Sequence, residues 1–231
     1  MISNQGRHQQ FQMATERELR ELLLPEFWNA RYEADLAAKL DQEDVQSASI
    51  SSYEWFRTSD NLVPFFRKHI PSPSNAVQIL HLGCGNSTLT SDLIHDGYTN
   101  QISIDFSPVL INAMKKKYAS LETQWLVMDV RDLQLEKESV HVAIDKGTLD
   151  VFLHGSLWEP PFEVTENVGK YVDQVVKVLK PGGKWLYITY RQPHFIKPLL
   201  SRSAWTLDVE VLDDPNGAGG FSYYGFVMTK H

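Results

Sequence analysis

The sequence predicts an α/β protein built on a mostly parallel sheet, and three observations carry that prediction. Short apolar strands alternate with helical stretches from Val77 onward. The first strand runs straight into a glycine-bearing turn, His81-Leu82-Gly83-Cys84-Gly85-Asn86-Ser87-Thr88. The chain then ends in two β-rich runs with no helix between them, the pattern of an antiparallel hairpin.

Residues 1–12 are polar and glutamine-rich and are expected to fray. From Met13 to Leu40 the pattern is helical: Leu19, Leu22 and Leu23 share one face, and Phe27, Trp28, Tyr32 and Leu36 follow. Pro25 divides this stretch into two helices, because it lacks a backbone N–H and clashes with the preceding turn. Residues 41–52 form a polar linker, so a helical extension (1–52) is expected to precede a main domain (53–231). Tyr53-Glu54-Trp55-Phe56 breaks the polarity, and a helix is expected from Asn61 to Ile70.

Strands are then expected near 77–82, 101–105, 124–128, 140–145 and 184–190, with helices near 88–96, 108–118 and 166–180. Ser107-Pro108 is a helix start, with Ser as cap and Pro at the first helical position. Lys180-Pro181-Gly182-Gly183 is a stop before the fifth strand. The closing hairpin pairs Trp205–Leu212 with Phe221–Thr229.

Composition narrows the class. The 231 residues are 42% apolar, enough for one sizeable core. A net charge of −7 offers no general attraction to nucleic acid or to an anionic membrane. No apolar run approaches the length of about 18 residues that a membrane span needs. The N-terminus lacks a signal-peptide core, and Glu16, Glu18 and Glu21 are out of keeping with a transit peptide, so a cytoplasmic monomer is expected. A single cysteine, Cys84, excludes an intrachain disulfide and suits a reducing compartment, and no metal is expected.

The glycine turn carries the chemistry. Gly83 and Gly85 let the backbone approach a ligand closely, and the helix start beyond them offers free N–H groups. Asp105 ends the second strand at the spacing of roughly 20 residues where an acid meets ribose hydroxyls. A nicotinamide enzyme would carry a third glycine at position 88, where this chain has Thr, and would need a second domain for which no length remains. Enzymes using S-adenosylmethionine share the first half-site and end their sheet in a hairpin. Asp129-Val130 after the third strand suits an adenine edge, and Asp145-Lys146-Gly147-Thr148-Leu149-Asp150 lies at the mouth of the sheet.

With these elements the chain resembles the seven-stranded, Rossmann-like class I methyltransferases over residues 53–231. Within them it is similar to the eukaryotic elongation factor 1-alpha lysine methyltransferase 4 group and its methyltransferase-like 13 relatives. The resemblance rests on Phe27-Trp28-Asn29-Ala30-Arg31-Tyr32, Tyr53-Glu54-Trp55-Phe56, Leu82-Gly83-Cys84-Gly85-Asn86-Ser87, Asp145–Asp150 and Pro193-His194-Phe195. It implies methyl transfer from S-adenosylmethionine to a lysine ε-amine of a protein, with translation elongation factor 1-alpha as the expected substrate. A small-molecule methyltransferase of the same fold is the alternative, and a non-catalytic binding module the third reading.

Carried onto this chain, the resemblance assigns Trp28, Tyr32 and Trp55 to the methionine end of the cofactor and Gly83 to the floor beneath it. It puts Asp105 on the ribose with Phe106 beside it, Asp129 and Val130 at the adenine, and Lys146 at the cleft mouth. Asp145 is the candidate for orienting the substrate ammonium, with Tyr190 or His194 as channel walls. His81 stands where many such enzymes carry an acid, and residues 1–24 and the insert Leu153–Glu166 match nothing in the family. The absence of an Asn/Asp-Pro-Pro-Tyr/Phe tetrapeptide after the fourth strand argues against methylation of an adenine amine or a glutamine amide.

Overall fold

The computed structural model describes residues 16–40, 49–212 and 222–231. The expected fraying of residues 1–12, most of the 41–52 linker and the turn of the final hairpin lie outside the described residues. The described residues begin with two helices, α1 (Glu16–Glu21) and α2 (Pro25–Leu40), divided at Pro25 as its chemistry requires. Helix α3 (Ser59–His69) leads into β1 (Ile79–Leu82), α4 (Leu89–His95), β2 (Gln101–Asp105), α5 (Pro108–Lys117) and β3 (Thr123–Val127). Then come β4 (Val140–Lys146), α6 (Thr148–Val151), α7 (Phe162–Val178), β5 (Leu179–Thr189), α8 (Pro193–Leu200), β6 (Trp205–Leu212) and β7 (Tyr223–Lys230).

The seven strands form one sheet in the order β3-β2-β1-β4-β5-β7-β6. The first five are parallel, and β7 runs antiparallel between β5 and β6. From β1 the chain builds outward to β2 and β3, then returns to lay β4 on the other side of β1. That reversal opens a crevice at the carboxyl ends of β1 and β4, where open α/β sheets bind ligands.

The central strands are buried on both faces, which is why β1 and β2 read as continuous buried runs. Strand alternation still sorts them. Leu80, Leu82, Trp185 and Tyr187 pack under α7 through Val168, Val172 and Val175. Ile79, Val142, Ile144 and Leu186 pack on the opposite face against Leu62 and Phe66 of α3 and Leu93 of α4. A third cluster joins Trp28 and Tyr32 of α2 to Leu110, Ile111 and Met114 of α5 and to Trp125. Helix α2 thereby covers one side of the crevice.

Several boundaries differ from expectation. Helix α7 begins four residues earlier, and Lys180–Gly183 belongs to β5 rather than to a loop, with a register shift against Val140 and Val142. Helix α6 is too short to show periodicity. Helix α8 contains Pro193 and Pro198 and is held by fully buried Ile196 and Leu200, so packing overrides propensity there.

Candidate active site

The crevice is a cavity of about 1170 Å³ lined by the ends of β1, β2 and β4, by Met128–Val130 just beyond β3, and by α1, α2 and the Tyr53–Arg57 segment. Small-molecule sites span roughly 300–1,000 Å³. There is room for a nucleoside cofactor and for an acceptor side chain.

On the β1–β3 side the wall is backbone and turn. Gly83 has φ of 63°, and a Cβ there would come within 2.3 Å of the Thr148 hydroxyl. Position 83 therefore demands glycine for its conformation and for the close approach. Thr148 Oγ1 donates to the Leu82 carbonyl at 2.8 Å, clamping the turn to α6. Asp105 ends β2 with only 7% of its surface exposed. Its Oδ2 accepts from the Gly85 N–H at 3.2 Å and its Oδ1 from the Ser107 N–H at 3.0 Å. Burial pushes its carboxyl up to about 6. Each oxygen keeps a lone pair, the arrangement a vicinal diol needs.

Asp129 lies in the wall with Val130 and Phe106. Burial alone would raise its carboxyl, yet Arg131, donating at 2.6 Å, holds it below the usual carboxylate range. Trp28 and Tyr32 line the cavity from α2, with ring centres 6.0 Å apart. The Trp28 indole donates to the Leu22 carbonyl at 2.8 Å, which fixes the α1–α2 corner. The Arg31 guanidinium sits 5.6 Å from the Trp28 ring and 5.5 Å from Trp55, joining α2 to the Tyr53–Arg57 segment.

Glu54, part of a motif but given no role by the sequence, holds that segment in place. Its Oε1 accepts from the Thr88 N–H at 2.6 Å, and its Oε2 from Ser87 Oγ at 2.8 Å and Lys146 Nζ at 2.9 Å. Lys146 also donates to the Trp55 carbonyl at 3.0 Å. With 6% of its side chain exposed, Lys146 lines the cavity as a buried brace. Its charge is stable there because Glu54 answers it. The sequence signal was an acid inside an aromatic block.

Asp145 requires a correction. It is fully buried and lies outside the cavity wall. Its oxygens accept from the Thr148 N–H at 2.7 Å, the Leu149 N–H at 3.0 Å and the Tyr171 hydroxyl at 2.7 Å, and burial pushes its carboxyl up to about 7. It caps α6 from inside the core and cannot meet a substrate.

Asp150 is the acid of that motif that organises the β4–β5 side. Its Oδ2 accepts from Tyr187 Oη at 2.8 Å, and its Oδ1 from Thr189 Oγ1 at 2.7 Å and Arg191 Nε at 3.0 Å. Arg191 Nη2 continues to the Leu153 carbonyl at 3.0 Å. Between Thr189 and Arg191, Tyr190 lines the cavity and is 40% exposed. Its ring centre lies 5.4 Å from Phe56, which in turn lies 5.9 Å from Tyr223. His194 is not in the wall; it stacks with Trp158 and Phe195 outside it.

His81 lines the cavity as a buried neutral imidazole hydrogen-bonded to Gln101, with burial pushing it down to about 4. This chain thus has a neutral group where an acid was expected. Among the described residues, no cluster of ligating side chains could hold a metal ion.

The turn, the buried Asp105 at the end of β2 and the aromatic wall from α2 fit S-adenosylmethionine. Residues 79–183 match the methyltransferase domain family. The chain is similar to EEF1A lysine methyltransferase 4 of Mus musculus, 34% identical over 195 residues that cover 82% of this chain and 73% of the relative. It is 31% identical to the eEF1A lysine and N-terminal methyltransferase of Homo sapiens, over 80% of this chain and 27% of that protein. In fold it is similar to the 1,6-didemethyltoxoflavin-N1-methyltransferase of Burkholderia thailandensis with bound S-adenosylhomocysteine: TM-score 0.57, 14% identity, 94% of this chain and 91% of the other. Extended sequence identity, on a sheet and turn built for the same cofactor, makes this chain a member of the EEF1A lysine methyltransferase 4 family of S-adenosylmethionine-dependent methyltransferases.

Proposed function

We propose that the protein methylates a lysine ε-amine of translation elongation factor 1-alpha. The observation that carries this is the aromatic rim of Phe56, Tyr190 and Tyr223 on the side of the cavity away from Asp105. An acceptor lysine arrives as an ammonium, and at its unperturbed pKa of about 10.4 deprotonation at pH 7 costs roughly 4.6 kcal/mol. A channel of aromatic faces removes water from the amine and lowers that cost, while still tolerating the cationic product. Bound S-adenosylmethionine supplies an electrophilic methyl group. The chain aligns the amine and excludes water, with Tyr190 held by the Asp150–Arg191 pair and Phe56 by the Glu54–Lys146 brace.

The relatives named for EEF1A lysine methylation support the choice of protein substrate, and the chain's net charge of −7 suits a basic partner. Such a substrate supports a cytoplasmic site of action. Incubating the enzyme with methyl-labelled cofactor and a cell lysate tests the reading. Label on a lysine of one protein band of elongation factor size supports it; label confined to small molecules or RNA overturns it.

A further inference from the structure

We propose that the loop between α6 and α7 docks the protein substrate: Trp158 and Phe162 anchor a basic segment of elongation factor 1-alpha beside the acceptor lysine. This rests on the lysine reading above. Trp158 is 78% exposed and Phe162 81%, the two most exposed large apolar side chains among the described residues. The Trp158 ring meets Phe195 edge-on at 4.9 Å and His194 at 5.5 Å, which extends the aromatic surface onto the start of α8. Large aromatics left in water on one short segment mark an interaction site, and Trp and Phe are the side chains that anchor interfaces. The segment is also held in shape. Gly155 takes φ of 69°, and a Cβ there would come within 3.0 Å of the Pro161 ring, so the loop closes on itself. The Glu159 N–H donates to Ser156 Oγ at 3.2 Å, and Pro160-Pro161 stiffens the run into α7. A loop set in advance spends little ordering entropy when a partner arrives.

Position and charge name the occupant. Gly155 and Leu157 line the cavity, whereas Trp158 and Phe162 lie outside its wall. The patch therefore begins where the cavity ends, on the β4–β5 side that also carries Tyr190. Aromatics folded inward would close over a small acceptor; these face outward, toward the body that brings the acceptor. Glu159 and Glu163 stand exposed beside them and make no ion pair among the described residues. Of the cations close by in the sequence or fold, Lys170 is taken by Glu166 and Arg191 by Asp150. Aromatic faces flanked by unanswered carboxylates suit Lys and Arg side chains, whose stems lie on rings while their heads reach the acids. The partner is thus the stretch of substrate next to the acceptor lysine, and it is cationic.

Full-length protein carrying both Trp158→Ser and Phe162→Ser is compared with wild type on purified elongation factor 1-alpha and S-adenosylmethionine. KM for the protein substrate should rise roughly 30-fold, the worth of one aromatic hot spot. The rate at saturating substrate and the affinity for S-adenosylhomocysteine should stay close to wild type. Glu159→Lys leaves the aromatics in place and so separates docking from folding. It should raise KM about fivefold at low salt, with the effect fading as salt rises. An unchanged KM in the double variant overturns the proposal. So does a fall in kcat or in S-adenosylhomocysteine affinity at constant KM, which would make the loop a support for the cavity. A wild-type dimer in sedimentation that the double variant dissociates would give the patch to a second copy of the chain and overturn it too. A wild-type enzyme that binds S-adenosylhomocysteine yet leaves the elongation factor unmethylated would instead remove the lysine reading, and this role with it.

Discussion

The two sides of the cavity are built from different materials. On the β1–β3 side, the lining groups are a glycine turn and one acid at a strand end, within a single strand–helix–strand unit; the amides the sequence expects to be free are taken, Gly85 N–H by Asp105 and Thr88 N–H by Glu54. On the β4–β5 side they are side chains from distant segments, set by ion pairs: Glu54 reaches Lys146 across 92 positions, and Arg191 reaches Asp150 across 41. A surface made of backbone tolerates little change and binds one cofactor. A surface made of side-chain pairs can be reshaped by a few substitutions, which is what a substrate site requires.

The largest effect should come from the brace that joins the two sides. Lys146→Met leaves Glu54 without its cation in a mostly buried site, a loss of about 3–5 kcal/mol. For a chain of this size each kcal/mol moves the midpoint by roughly 2–4 °C, so thermal melts should fall by on the order of 10 °C. Replacing Glu54 by Gln in the same chain should recover part of it. If the single variant melts like wild type, the brace carries no weight.

Next, Asp105→Asn should weaken S-adenosylhomocysteine binding by roughly 10- to 150-fold, the worth of hydrogen bonds to a charged group. Titration calorimetry reads this directly, and unchanged affinity would remove the ribose assignment. Asp150→Asn should do the converse. Loss of the Arg191 ion pair should raise KM for the protein substrate about tenfold while leaving S-adenosylhomocysteine affinity alone. Equal damage to both constants would show that the two sides are not separable.

The smallest effect is a pH dependence. Because Asp105 titrates near 6 and binds the diol best when ionised, cofactor affinity should fall as pH drops below about 6, by up to about tenfold per unit. Stability runs the other way. The folded protein holds the Asp105 and Asp145 protons more tightly than the unfolded chain, so their contribution is present at low pH and is lost as pH rises from about 4 through about 6 and about 7 respectively. Melts of Asp145→Asn across that window should lack its share of the decline.

The same division explains what could be read from sequence. The closing hairpin is legible because no helix separates its strands, and the placement of the Gly83 turn beside Asp105 because strand, turn and strand are adjacent in sequence. The burial of Asp145 away from the cavity is not legible in the motif that holds it. Which side of β4 faces the cavity, and that Glu54 waits there, are consequences of packing between remote segments. The pairing of Asp150 with Arg191 carries no spacing signal; only the folded sheet brings them together.

This cavity delivers a methyl group to a protein lysine. Mass spectrometry of purified elongation factor 1-alpha, incubated with S-adenosylmethionine and either wild-type enzyme or Asp105→Asn, tests it most directly. A methyl increment on a lysine is expected with wild type and a strong reduction with the variant. An unmodified elongation factor, with cofactor binding intact, would contradict it.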